Sequence, residues 1–203
     1  MNVIESIYQR RSIKQFDADH KLSAEEEQKL FEAVLQSPTS FNIQHWRFVV
    51  LRDPELRSKI RKEFGNDQSQ MTDASLLVLF TADTKAWAKE PSRYWQNAPQ
   101  EVSDLLVGWM GPFHEGREWL QRDEAQRSIG MAMQTMMLAA QGLGYQSCPM
   151  IGFDIEKVAE LIGLPEDHVM GPMVAIGKGT KDPWPKPGQL GLDEVRLENG
   201  FHQ

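Results

Sequence analysis

The chain reads as a layered α+β protein built around a mixed sheet. Three observations predict this class. Four short runs, at residues 47–52, 75–82, 145–150 and 172–178, read as strands, the first two of them buried. Between them lie segments with helical spacing and clear N-terminal caps. Strands and helices do not alternate strictly, which disfavours a doubly wound parallel architecture. At 203 residues the chain suits one domain, with 83–120 as a lid or interface insertion and 182–203 as an extended C-terminal arm.

Residues 2–9 open with a helix, in which Asn2 and Glu5 form a capping box and Val3, Ile4 and Ile7 make one apolar stripe. Arg10, Arg11, Ser12, Ile13 and Lys14 follow at its C-terminal end. Three cations and a hydroxyl within five residues repel one another on a bare surface. A phosphate-bearing ligand turns that repulsion into attraction, because guanidinium and hydroxyl donors match phosphate oxygens. The rival reading is local: Arg10 and Arg11 complement the helix dipole.

Ser23 and Glu26 form a second capping box for a helix that buries Leu30, Phe31, Val34 and Leu35 and stops at Pro38. Residues 37–46 are rich in small hydrogen-bonding side chains and read as a polar connector anchored by Trp46. Phe48, Val49, Val50 and Leu51 belong to the first strand. Asp53 and Pro54 start a helix that runs to about Phe64 and is capped by Gly65. The next strand is apolar on both faces from Leu76 to Phe80, which predicts burial on both sides.

Residues 83–120 hold Trp87, Trp95, Trp109 and Trp119 among several breakers. They read as broken helices, serving as a lid or subunit contact or as satellite core. Residues 123–141 form the longest helix, apolar almost all round from Ile129 to Ala140, with Met131, Met133, Met136 and Met137 as core filler. Gly142 and Gly144 end it. Past the third strand, Asp154 caps a helix whose stripe is Val158, Leu161 and Ile162, closed by Gly163. From Asp182 onward, Pro183, Pro185 and Pro187 predict an extended arm that reaches over another surface, such as a partner subunit.

Composition excludes several functions. A net charge of −7 argues against nucleic acid as the main partner. The longest clearly apolar run, Leu76 to Phe80, is too short to span a membrane, and the start Met1-Asn2-Val3-Ile4-Glu5 lacks the pattern of a signal peptide. The single cysteine, Cys148, excludes an internal disulfide and fits a reducing cytoplasm. His20, His45, His114, His168 and His202 are scattered without metal-ligand spacing, so no metal site is expected. There is no phosphate-binding P-loop, no dinucleotide fingerprint and no Gly-x-Ser-x-Gly elbow. Cys148 has no histidine near it in sequence and suits a small buried position better than a nucleophile. An anion cluster without an obvious acid, base or nucleophile suits a protein whose chemistry is carried by a bound cofactor.

Three stretches carry a resemblance. Arg10-Arg11-Ser12-Ile13-Lys14-Gln15-Phe16 resembles the opening Arg-Arg-Ser-x-Arg/Lys-x-Phe motif of the FMN-dependent nitroreductase family. Ser37-Pro38-Thr39-Ser40-Phe41-Asn42-Ile43-Gln44-His45-Trp46 resembles its second motif. Leu138-Ala139-Ala140, Leu143-Gly144 and Cys148-Pro149-Met150-Ile151-Gly152-Phe153-Asp154 resemble its third. The motifs fall in family order over nearly the whole chain.

The resemblance implies an intertwined homodimer, a mainly antiparallel sheet flanked by helices, and FMN at the subunit interface. It implies hydride transfer from NADH or NADPH to a nitro compound, a quinone or a similar small acceptor. Arg10 and Ser12 would hold the FMN phosphate, with Arg11 nearby, and Lys14 would lie at the pyrimidine edge of the flavin. Pro38, Thr39, Ser40 and Asn42 would come from the other subunit. Gln70 falls where the family places a polar or basic residue on the ring edge. Pro149, Met150, Ile151 and Gly152 would pass the other edge, with a backbone N–H of Ile151 or Gly152 reaching N5 or O4. No side chain is an obligatory acid. Three departures stand out: Ile151 where some members have glutamate, His45 where proline is usual, and Lys186 alone in the tail where a second phosphate-binding arginine is common. The alternatives are another flavin reaction on the same fold (dehalogenation, flavin breakdown, desaturation) or a non-redox binder of a phosphorylated ligand.

Overall fold

The computed structural model describes residues 2–201; Met1, His202 and Gln203 lie outside the described residues. The chain runs α1 (Val3–Gln9), α2 (Ala24–Val34), β1 (Trp46–Val50), α3 (Pro54–Lys59), α4 (Gln70–Asp73), β2 (Leu76–Asp83), α5 (Gln100–His114), α6 (Glu118–Gly142), β3 (Gln146–Met150), α7 (Ile155–Ile162), β4 (His168–Gly177) and α8 (Leu192–Val195). The strands form one sheet in the order β1-β2-β4-β3, every neighbour antiparallel. A parallel pairing occurs as an isolated bridge between Ser12 and Ser147.

All eight residues of β2 are buried, which is why its apolar run does not alternate. Its even-numbered side chains, Val78 and Phe80 among them, pack against Leu30 and Val34 of α2 and Ala132 and Met136 of α6. The odd-numbered Leu77 and Leu79 face the opposite layer, with Ile60, Met71 and Val158. Burying each such side chain contributes about 1.5–3 kcal/mol. Helix α6 approaches the sheet closely at Gly171, where a β-carbon would lie 2.8 Å from Ile129 Cγ2 and 2.9 Å from the Phe80 carbonyl. Beside it the β2–β4 register shifts between Leu79 and Thr81.

The predicted caps form: capping boxes at Asn2 and Ser23, Asp53 with Pro54 at the first turn of α3, and Asp154 with left-handed Gly163 around α7. Other expectations are corrected. The helix from Asp53 does not stay α-helical to Phe64 but widens into one π turn over Ile60–Phe64. Gly65 is not a left-handed cap, since its φ is −114°. It is required for space, as a β-carbon there would sit 2.5 Å from Met71 Sδ. Helix α6 begins at Glu118, and only one face is fully buried: Met136 and Met137 are core, Met131 and Met133 half-buried. Strand β4 starts earlier than the 172–178 run, because residues from His168 pair with the end of β2. Leu35 and the α1 stripe of Val3, Ile4 and Ile7 are exposed, because no element among the described residues covers them. The arm is extended from 182 and then forms the short α8.

His45 is fully buried, with Nδ1 2.9 Å from Ser128 Oγ. That hydroxyl donates to the Glu124 carbonyl at 2.8 Å, so His45 Nδ1 carries the proton and donates to Ser128. Removal from water, then the neighbouring His114, hold its pKa down to about 4; Glu124 and Asp83 oppose this and Arg47 adds to it. The folded chain therefore binds this proton less readily than the unfolded chain. His45 contributes stability that is full above pH 6.5 and is lost as pH falls from 6.5 towards 4, in total about 3 kcal/mol. Thermal unfolding midpoints across that window should decline for the wild type. His45→Gln should flatten the decline whatever its absolute stability; an unchanged slope would assign the effect to other groups.

Candidate functional site

After α1 the chain is extended and fastened to the sheet. The Ile13 N–H donates to the Ser147 carbonyl at 3.1 Å, Asp17 N–H to Lys178 at 2.8 Å, and Thr180 N–H to Gln15 at 3.0 Å. Ile13 and Phe16 are buried, leaving Ser12 and Lys14 open on either side of Ile13. Arg10, Arg11, Ser12 and Lys14 form one wall of a cleft of about 850 Å3. The opposite wall is the arm from 181 to 189, which adds Lys181 and Lys186. An Arg11 Nη2 donates to the Trp184 carbonyl and ties the arm to the cluster. The arm expected to cross another surface thus first covers its own chain's cations.

Two buried polar atoms here, Arg10 Nη1 and Ser147 Oγ, have no hydrogen-bond partner among the described residues. An unpaired buried donor costs about 1–3 kcal/mol, more when charged. In a chain of net charge −7, five cations around one cleft with one unpaired guanidinium nitrogen fit an anionic ligand. Helix-dipole complementation leaves both the cleft and the unpaired nitrogen unexplained.

Cys148 joins this wall to a second group. It is buried, which pushes its thiol pKa up; Lys14, Arg10 and a hydrogen bond from Gln70 pull less strongly the other way. The thiol is therefore a poor nucleophile. Gln70 is itself buried, and its Nε2 donates to Gln68 Oε1 at 3.1 Å. Gln68 Nε2 donates to the Gly152 carbonyl at 2.8 Å, and Asn66 Nδ2 to the same oxygen at 3.1 Å. Met150 is core, while Ile151 and Gly152 are exposed at the end of β3. Their N–H groups donate to no acceptor among the described residues. Sequence reasoning found Gln70 and Gly152 but missed Gln68, Asn66, Lys181 and Gln134, the last lining the cleft from α6. The turn chemistry of Gly65-Asn66-Asp67 was the one signal available.

Pro38, Thr39, Ser40 and Asn42 do not line the cleft of this chain. They sit in a strained loop in which Phe41, Asn42 and Gln44 have φ of 49°, 56° and 54°. Thr39 Oγ1 accepts from Gln44 N–H at 2.9 Å, Asn42 Nδ2 donates to the Tyr94 carbonyl at 2.8 Å, and Trp95 Nε1 to the Phe41 carbonyl at 3.0 Å. Ser40 Oγ is buried without a partner among the described residues. Asp83, Asp167 and His168 also cluster, but Lys89 Nζ already donates to both carboxylates, at 2.7 and 2.6 Å.

Comparison with known proteins fits this geometry. A family model described as the nitroreductase family matches residues 7–178. Protein DrgA of Synechocystis sp. is 60% identical over 200 residues, covering 96% of this chain and 95% of that protein. The CLA biosynthesis enone reductase of Lactiplantibacillus plantarum is 29% identical over 188 residues, covering 87% and 85%. A crystal structure from Exiguobacterium sibiricum, described as a nitroreductase in complex with FMN, aligns with a TM-score of 0.89 at 25% identity, covering 98% of this chain and 97% of that one. With a match that takes in both the cation wall and the Gly152 turn, the chain belongs to the nitroreductase family of oxidoreductases.

Proposed function

We propose that the chain is an FMN-dependent oxidoreductase that moves a hydride from NADH or NADPH to a nitroaromatic, a quinone or a similar small acceptor, the two substrates using one place in turn. The observation that carries this reading is the two-ended site: cations with an unpaired Arg10 nitrogen at one end, and free backbone donors at Ile151 and Gly152 beyond Cys148. FMN has matching ends, a phosphate monoester and a ring edged with acceptors. When bound it would supply the redox chemistry, its N5 taking and returning a hydride.

Arg10, Arg11, Ser12 and Lys186 would hold the phosphate. Lys14 would stand at the pyrimidine edge, where a fixed ammonium favours the charge gained on reduction. Gln70 and the stretch Pro149, Met150, Ile151 and Gly152 would serve the remaining edges. The uncovered apolar side chains of Val3, Ile4, Trp184 and Phe201 favour an intertwined homodimer. In it Pro38, Thr39, Ser40 and Asn42 would approach the ligand of the other subunit. Residues 83–120, with Trp109 and Trp119 exposed, would act as lid and subunit contact. A reducing cytoplasm suits the single free cysteine.

The purified protein should be yellow, or become so with FMN, and NADH or NADPH should bleach it anaerobically; an acceptor panel of nitroaromatics, quinones and enones should restore the colour. A protein that takes up no FMN overturns the proposal. Arg10→Ala should weaken FMN binding roughly 10- to 100-fold by titration, the loss of one charged hydrogen bond of about 1.5–3 kcal/mol. Lys14→Ala should keep the flavin but move its two-electron potential about 30–60 mV more negative. Identical behaviour of the two variants would refute this division of the cluster.

A further inference from the structure

Residues 60–68 have an unusual local build. The π turn over Ile60–Phe64 ends at Gly65, where no β-carbon fits. Asn66 and Asp67 then both take left-handed conformations, φ 52° and 51°. Such conformations cost of order 1–3 kcal/mol each and persist where surrounding contacts determine them. Arg61 supplies those contacts: its Nε donates to Asp67 Oδ1 at 2.7 Å and its carbonyl accepts from Asp67 N–H at 3.0 Å. The outcome is that two side-chain amides, Asn66 and Gln68, converge on one oxygen, the Gly152 carbonyl.

That oxygen belongs to a tight turn. Phe153 N–H donates to the Ile151 carbonyl at 2.9 Å, closing a three-residue turn on Gly152. Asp154 N–H donates to the Phe64 carbonyl at 2.8 Å, so the π turn holds the far side as well. With the Gly152 carbonyl fixed by two donors and the next two amides paired, the Ile151 and Gly152 N–H groups are left free and held in direction. Gln68 Oε1 is in turn fixed by Gln70 Nε2, and both Gln70 and Cys148 are buried.

We propose that Gln68 is a positioning residue: a relay from Gln70 through Gln68 to the Gly152 carbonyl aims the free Ile151–Gly152 backbone donors at the electron-accepting edge of the flavin. This rests on the FMN reading above. A donor facing the ring carbonyl O4 gains most once the ring is reduced and electron-richer, so loosening the turn weakens the reduced complex more than the oxidised one. The phosphate end, held by Arg10, is unaffected.

The test compares affinities for oxidised and reduced FMN in the wild type, Gln68→Leu, Asn66→Ala and Gln70→Leu, alongside thermal unfolding and the visible spectrum of bound flavin. Gln68→Leu should bind oxidised FMN within about threefold of wild type and reduced FMN roughly tenfold less tightly, a potential about 30 mV more negative. Asn66→Ala should shift it in the same direction by less, and it carries the test should Gln68→Leu fail to fold; Gln70→Leu, which also removes a contact to the ring edge, should weaken binding of both forms. Variants that lose thermal stability while keeping the wild-type potential would overturn the inference and make the relay structural. If the wild type takes up no flavin, the functional reading falls and takes this inference with it; if it binds flavin and only the relay variants are silent, the reading stands without the relay.

Discussion

Everything at this site depends on how a cluster of like charges is held in place. Arg10, Arg11 and Lys14 cannot hold one another. They are held by Ile13 and Phe16, which are buried in the layer beneath the sheet, and by the hydrogen bond from Ile13 N–H to Ser147 at the sheet edge. The spacing of the two apolar anchors is what turns Ser12 and Lys14 outward. Buried apolar area supplies the stability, and the repulsion among the cations is left for a ligand to relieve. Removing the anchors would scatter the cluster without touching a single charge.

The same pairing sets what lies beside the cluster. Ser12 bridges Ser147, so the next residue of β3, Cys148, comes under Lys14 and Arg10, and the strand then carries the chain to Ile151 and Gly152. One edge strand thus places the cations and the free backbone donors in sequence along a single line. Strand β3 stays in place because β4 pairs with it throughout and β4 in turn pairs with the fully buried β2. The rigidity of the site comes from the centre of the sheet, where no functional residue lies.

How much of this was legible in the sequence follows from the range of each interaction. Caps at Asn2, Ser23, Asp53 and Asp154 close within three residues, and the sequence shows them directly. The burial of β2 was legible because a run apolar on both faces has no other soluble solution. The cation cluster was visible as composition, but its cleft was not, since the second wall comes from an arm over 160 residues away. Gln68 and Asn66 read as ordinary polar loop residues, because their meaning lies in a carbonyl more than 80 positions further on. His45 read as a departure from proline, and only packing shows it sealed against Ser128.

The tryptophan-rich stretch divides into a packed pair and an exposed pair. Trp87 and Trp95 pack over Ile43, Ala86 and Met110, whereas Trp109 and Trp119 are exposed. The packed pair is more than filler. Trp95 Nε1 and the Tyr94 carbonyl hold the loop in which three non-glycine residues have left-handed backbone, a strain of order 1–3 kcal/mol at each. The loop bent at such cost leaves Ser40 Oγ buried without a partner among the described residues and Pro38 exposed. Its distance from the cation cleft then has a physical meaning. In the proposed homodimer a second copy would bring its loop to the first copy's cleft, and the uncovered apolar faces of α1 and the arm are where that copy would find its buried area.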